Sequence, residues 1–81
     1  MNKQFYLYYF NKFQYFAELC RKGYLDTTNH YILDMYNTTI KYETQMKLDN
    51  IDLKKLDSLI DEFNKNDLEF YMFIHKDVTI L

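Results

Sequence analysis

Proline and tryptophan are absent from this 81-residue sequence, and glycine and cysteine occur once each. Each shortage excludes something. Without proline, and with Gly23 alone to take a positive φ freely, a fold of many short strands and tight turns is disfavoured and long helices are favoured. A single cysteine, Cys20, excludes an internal disulfide and suits a reducing compartment, so a cytoplasmic location is expected. No run of about 18 apolar residues is present, so no membrane span is expected. Lys3 precedes a short apolar run that has no small-residue cleavage site after it, so no secretory leader is read.

Strong charge is also missing. Ten basic residues stand against twelve acidic ones, for a net charge of −2, whereas a general nucleic-acid binder is usually strongly basic. The charge is unevenly spread. Residues 1–42 carry five bases and three acids, or +2; residues 43–81 carry five bases and nine acids, or −4. The length predicts one domain over residues 1–81, near the lower limit for folding alone.

What the sequence has in excess is aromatic. "FYLYYFNKFQYF", residues 5–16, holds eight aromatic side chains in twelve positions. Part of that excess is mutational supply. Lys, Asn, Ile, Tyr and Phe, whose codons are AT-rich, provide 38 of the 81 residues, while Gly, Ala, Arg and Pro provide three. The rest has a structural reading. On a helix over residues 2–22, Phe5, Phe16, Tyr9, Cys20, Phe13, Tyr6, Ala17 and Phe10 fall within one arc of about 140°, with no polar residue inside it. Asn2 is a capping residue, and Arg21-Lys22-Gly23 is a stop signal. The competing reading is a strand over residues 5–10, because aromatics favour strands.

A second helix is expected over residues 28–47, capped from Asp26-Thr27-Thr28. Ile32, Met35, Tyr36, Thr39, Ile40 and Met46 form its expected apolar face, with Tyr31 and Tyr42 on one shoulder; His30, Asp34, Asn37, Lys41 and Gln45 face away. A third helix over residues 52–65 has Leu53, Leu56, Leu59, Ile60 and Phe63 on one stripe, and Asn64-Lys65-Asn66-Asp67 should interrupt it. Residues 68–81 read either as a short helix packed by Phe70, Phe73 and Ile74, or as a hairpin turning at His75-Lys76-Asp77. The fold expected is therefore all-α, a small bundle of three long helices plus a short C-terminal element. The alternative is α+β with a C-terminal β-hairpin.

Candidates for chemistry are few. Cys20 with His30 or His75 would be a nucleophile and base, but Cys20 lies inside the apolar arc, where a thiol acts as a small hydrophobe. His30 and Asp34, one turn apart, supply too few ligands for a structural zinc site, so an ion pair is expected. Asp57, Asp61, Glu62, Asp67 and Glu69 would imitate a phosphate backbone, but Lys54, Lys55 and Lys65 interrupt that field. Lys3, Lys12, Arg21 and Lys22 among aromatics suggest base stacking with phosphate contact, although most of those rings are already assigned to a core. Glu43 breaks an apolar face and, if buried, needs a partner such as Lys12 or a tyrosine hydroxyl. No catalytic, cofactor or metal motif is read.

Leu56 to Phe63, "LDSLIDEF", resembles part of the helix of the small aspartyl-phosphate phosphatases of sporulation phosphorelays. That family reads Ser-Gln-Glu-Leu-Asp followed by Lys-Leu-Ile. Here Leu56, Asp57, Leu59 and Ile60 match the second half, while Leu53, Lys54 and Lys55 stand where the family has Ser-Gln-Glu. Half the motif is missing over roughly a tenth of the chain, so the phosphatase activity is not carried over.

The expected function is non-enzymatic binding of another protein. Hydrophobic residues make up 48% of the chain, more than a domain of this size buries fully, and the surplus is mostly Tyr, a preferred interface residue. Tyr8, Lys12, Tyr15 and Leu19 fall together outside the main arc of the first helix and form the candidate partner-binding ridge. An inhibitor or adaptor acting on a host or defence protein, encoded by an AT-rich phage or mobile element, leads. A nucleic-acid-binding protein and a homodimeric structural or regulatory protein are the rivals.

Overall fold

Three stretches carry apolar residues at helical spacing with no proline to break them. All three are helical in the computed structural model, which describes the backbone of residues 3–78 and the side chains of residues 3–67. Helix α1 spans Lys3–Arg21, α2 spans His30–Met46 and α3 spans Leu53–Val78. No strand occurs among the described residues, so the chain is a small all-α bundle.

The helix ends have identifiable causes. Beyond α1, Gly23 takes a φ of +80°, while its N–H donates to the Cys20 carbonyl and that of Tyr24 donates to the Leu19 carbonyl. This double bond pattern around a left-handed glycine satisfies carbonyls that the last turn leaves open. At α2 the capping residue is Asn29, not the Asp26–Thr28 stretch that the sequence suggests. The Asn29 carboxamide oxygen accepts from the N–H groups of Tyr31, at 2.9 Å, and Ile32, at 3.3 Å. Asp26 instead closes a local turn, accepting from the N–H and hydroxyl of Thr28. Asp52 accepts from the N–H groups of Lys54 and Lys55 and so caps α3.

The core lies where the three helices meet. Phe13, Met35, Tyr42, Leu56, Leu59, Ile60 and Phe63 form its buried cluster, and Tyr6, Tyr9, Phe10, Phe16, Met46 and Leu53 pack around it. The α1 arc read from the sequence is therefore the core face, except that Phe5 at its edge is 42% exposed. The expected stripe on α3 is also the observed one. Helix α2 packs its backbone against both neighbours, whereas α1 and α3 meet mainly through long side chains. Phe13 meets Phe63 with ring centroids 4.4 Å apart and Tyr42 at 4.8 Å, the latter edge-on at 90°. Rings of this size span a gap that aliphatic side chains would leave empty.

Two expectations need correction here. The buried face of α2 is Ile32, Met35, Thr38, Thr39, Tyr42 and Gln45; Ile32, Met35 and Thr39 are buried as expected, while Tyr36, Ile40 and Met46 are only half-buried. Tyr42, placed on a shoulder, is fully buried, and Gln45, placed outward, is 6% exposed. The cause is the central position of α2, which buries a face against two neighbours. Threonines can line that face because each hydroxyl donates back into its own helix: Thr38 to the Asp34 carbonyl and Thr39 to the Tyr36 carbonyl. The second failure is the break expected at Asn64–Asp67. Helix α3 runs through it, since four polar residues without Gly or Pro do not stop a helix, and Asn64 donates to the Tyr9 hydroxyl. Residues 68–78 continue α3 rather than forming a separate element. The packing expected for Phe70, Phe73 and Ile74 lies outside the described residues.

Tyr42 is fully buried, and its hydroxyl donates to the Tyr6 carbonyl at 2.8 Å. The Tyr6 hydroxyl in turn donates to Asp57 at 2.8 Å, so one chain of contacts links α2, α1 and α3. Burial pushes the Tyr42 phenol up to about 12, with Tyr6, Asp57 and Tyr9 adding to the rise. The Tyr6 phenol is raised as well, chiefly by its hydrogen bond to Asp57.

Three outcomes follow from these contacts. Tyr42→Phe should lower unfolding free energy by about 0.5–1.5 kcal/mol in urea titration, and Tyr42→Ala by about 3–5 kcal/mol. A phenol raised in the folded state stabilises below its ordinary value of 10.0 and loses that contribution as pH climbs toward about 12. Wild-type stability should therefore fall over that window, and Tyr42→Phe should show a smaller fall. Asn29→Ala should cost about 1 kcal/mol by the same titration, the usual effect of losing a helix cap.

Candidate functional site

The outer side of α1 is set by the same periodicity that builds its inner side. With Phe13, Ala17 and Cys20 buried, the residues about half a turn away must face out. Tyr8 is 61% exposed and Tyr15 is 68% exposed. They are two helical turns apart, so their rings rise from one line about 10 Å long. The Tyr8 ring stands edge-on to Tyr9 at 5.2 Å, and Tyr9 is in turn edge-on to Phe5. The outer ring of Tyr8 is thus braced by rings that lead back into the core.

The other two members of the expected ridge are placed differently. Leu19 is half-buried. Lys12 is also half-buried, and its ammonium sits 5.7 Å from the Tyr9 ring centroid and 5.6 Å from that of Phe63. A cation over two ring faces is held by their quadrupoles, so Lys12 leans across the α1–α3 seam rather than along the ridge. The exposed surface is therefore Tyr8 and Tyr15, with the Glu18–Lys22 pair, 3.4 Å apart, at its C-terminal end.

The polar candidates resolve into ordinary surface contacts. His30 and Asp34 approach to 3.2 Å as an exposed pair one turn apart. Among the described residues, no three His, Cys, Asp or Glu side chains converge as a metal site would require. Glu43, half-buried, finds its partner in Lys47 at 3.1 Å rather than in Lys12 or a tyrosine. Asp57, Asp61, Glu62 and Asp67 are exposed, and so are Lys54, Lys55 and Lys65 between them; the Glu69 side chain lies outside the described residues. Arg21 lies over the Tyr36 ring, 5.9 Å from its centroid. Cys20 is 7% exposed, and its burial pushes the thiol up, only partly opposed by the nearby Arg21 charge. A raised thiol in an apolar site is a poor nucleophile.

One feature of the surface is not visible in the sequence pattern. At the end of the bundle that holds the start of α1 and the α2–α3 connection, Leu7, Met46, Ile51 and Leu53 border a cleft of about 80 Å³. Leu7 is 45% exposed, Leu48 is 50% and Ile51 is 43%. The available signal was Leu7, which falls outside the apolar arc, and two aliphatic residues set in a polar connection. The cleft holds about one side chain, well below the several hundred cubic ångströms of a small-molecule site.

No helix among the described residues is long and apolar enough to cross a membrane. No family model, curated protein or solved structure matches this chain. The residues that resemble the aspartyl-phosphate phosphatase helix have structural duties here: Leu56, Leu59 and Ile60 are buried, and Asp57 receives the Tyr6 hydroxyl.

Cys20→Ser places a hydroxyl in the apolar arc and should cost about 1–3 kcal/mol in denaturant titration. The native wild-type thiol should react with a small disulfide reagent far more slowly than the urea-unfolded chain. Equal rates would place Cys20 on the surface.

Proposed function

We propose that this chain is a non-enzymatic binding module that recognises another protein through the outer face of α1, with Tyr8 and Tyr15 as its anchors. The observation that carries the reading is that two tyrosine rings, 61% and 68% exposed, stand in one line on a helix whose opposite face already supplies the core. Exposed aromatic rings grouped on a rigid element mark interaction surfaces more often than idle ones. Tyrosine is suited to the role. It brings a large apolar area, a hydrogen-bonding tip and only two rotatable bonds to order on binding. Attachment to a helix with a packed inner face further limits what association must immobilise.

The chemistry of the remaining groups supports a binding role over a catalytic one. The thiol is buried, the histidine–aspartate pair is solvated, and the cleft is smaller than a substrate pocket. An inhibitor or adaptor that occupies a surface of a larger protein needs none of these groups. The reading does not depend on charge, so binding should change little with ionic strength; a nucleic-acid partner would instead lose affinity steeply as salt rises.

The test is the double variant Tyr8→Ala with Tyr15→Ala. Its melting temperature should stay within a few degrees of wild type, because neither ring is buried. A partner retained by immobilised wild-type chain should lose about 2 kcal/mol or more of binding energy to the variant, the scale expected of anchor residues. A second copy of the chain counts as a partner, and sedimentation at increasing concentration detects it. If the double variant unfolds, the rings are core residues. If it binds every partner as wild type does, the α1 outer face is not the interface.

A further inference from the structure

We draw no further inference here: the strongest candidate, the apolar cleft at the bundle end bordered by Leu7, Met46, Ile51 and Leu53, with Leu48 exposed nearby, carries nothing because no charge pattern or neighbouring segment in the structure shows what covers it.

Discussion

Phe13 is the residue through which the bundle is joined. Its ring meets Tyr42 of α2 edge-on and Phe63 of α3 at a tilt, so a single α1 side chain touches both other helices at the centre of the core. Edge-on and tilted pairs are the arrangements that ring quadrupoles favour, and each adds about 0.5–1.5 kcal/mol beyond the area it buries. The geometry also fixes separation. Since α1 and α3 meet mainly through side chains, the cluster of tilted and edge-on rings of Phe13, Phe16 and Phe63 sets how far apart they stand. Around that cluster the tyrosines add direction. Tyr42 donates to the Tyr6 carbonyl, Tyr6 to Asp57, and Tyr9 accepts from Asn64. Burial supplies most of the energy, and these directional bonds select one rotation of each helix about its axis.

That constraint explains why an aromatic-rich helix leaves rings in water. A helix can turn only part of its circumference toward a core. Once Phe13, Ala17 and Cys20 are fixed inward, Tyr8 and Tyr15 are carried outward whatever their hydrophobicity. An AT-rich codon supply would raise the number of aromatic residues, but it would not sort them between inside and outside. Among the described residues, Phe13 and Phe63 are each 1% exposed and Phe10 and Phe16 are half-buried, with Phe5 the exception, while the most exposed rings, Tyr8, Tyr15 and Tyr24, all carry a hydroxyl. The proposed binding surface is the outward consequence of a core built from one helix face.

Legibility followed the number of neighbours each helix has. Helix α1 and the first half of α3 bury one stripe each, and both stripes are legible in the apolar periodicity, from Phe13 and Ala17 to Leu56 and Phe63, with Phe5 the exception. Helix α2 lies between the other two, and its burial includes Thr38, Thr39 and Gln45. Thr39 was on the expected face, but a hydropathy pattern weights Ile40 and Tyr36 above Thr38, because it has no account of a hydroxyl that bonds back to its own helix. Tyr42 falls on a shoulder of the expected face, yet it is fully buried, with its hydroxyl donating to the Tyr6 carbonyl of another helix, a contact that no pattern within α2 encodes. Asp26, Thr27, Thr28 and Asn29 are all capping types in one run, and only the backbone bonds of Tyr31 and Ile32 single out Asn29. The polar run Asn64–Asp67 suggests a break, but without Gly or Pro it leaves α3 uninterrupted. On the candidate site, exposure of Tyr8 and Tyr15 was legible from the wheel. The position of Lys12 over two rings was not, since it depends on Phe63 from another helix.

The central claim is that one set of tyrosines holds the bundle together while another stands outside it. Nitration of native tyrosines by tetranitromethane, read residue by residue from peptide masses, tests this directly. Tyr8 and Tyr15 should be modified early, and Tyr42, fully buried, should stay protected until the chain unfolds. Modification of Tyr42 in the native protein at the rate of Tyr8, or protection of Tyr8 and Tyr15 in a chain shown to be monomeric, would contradict the account.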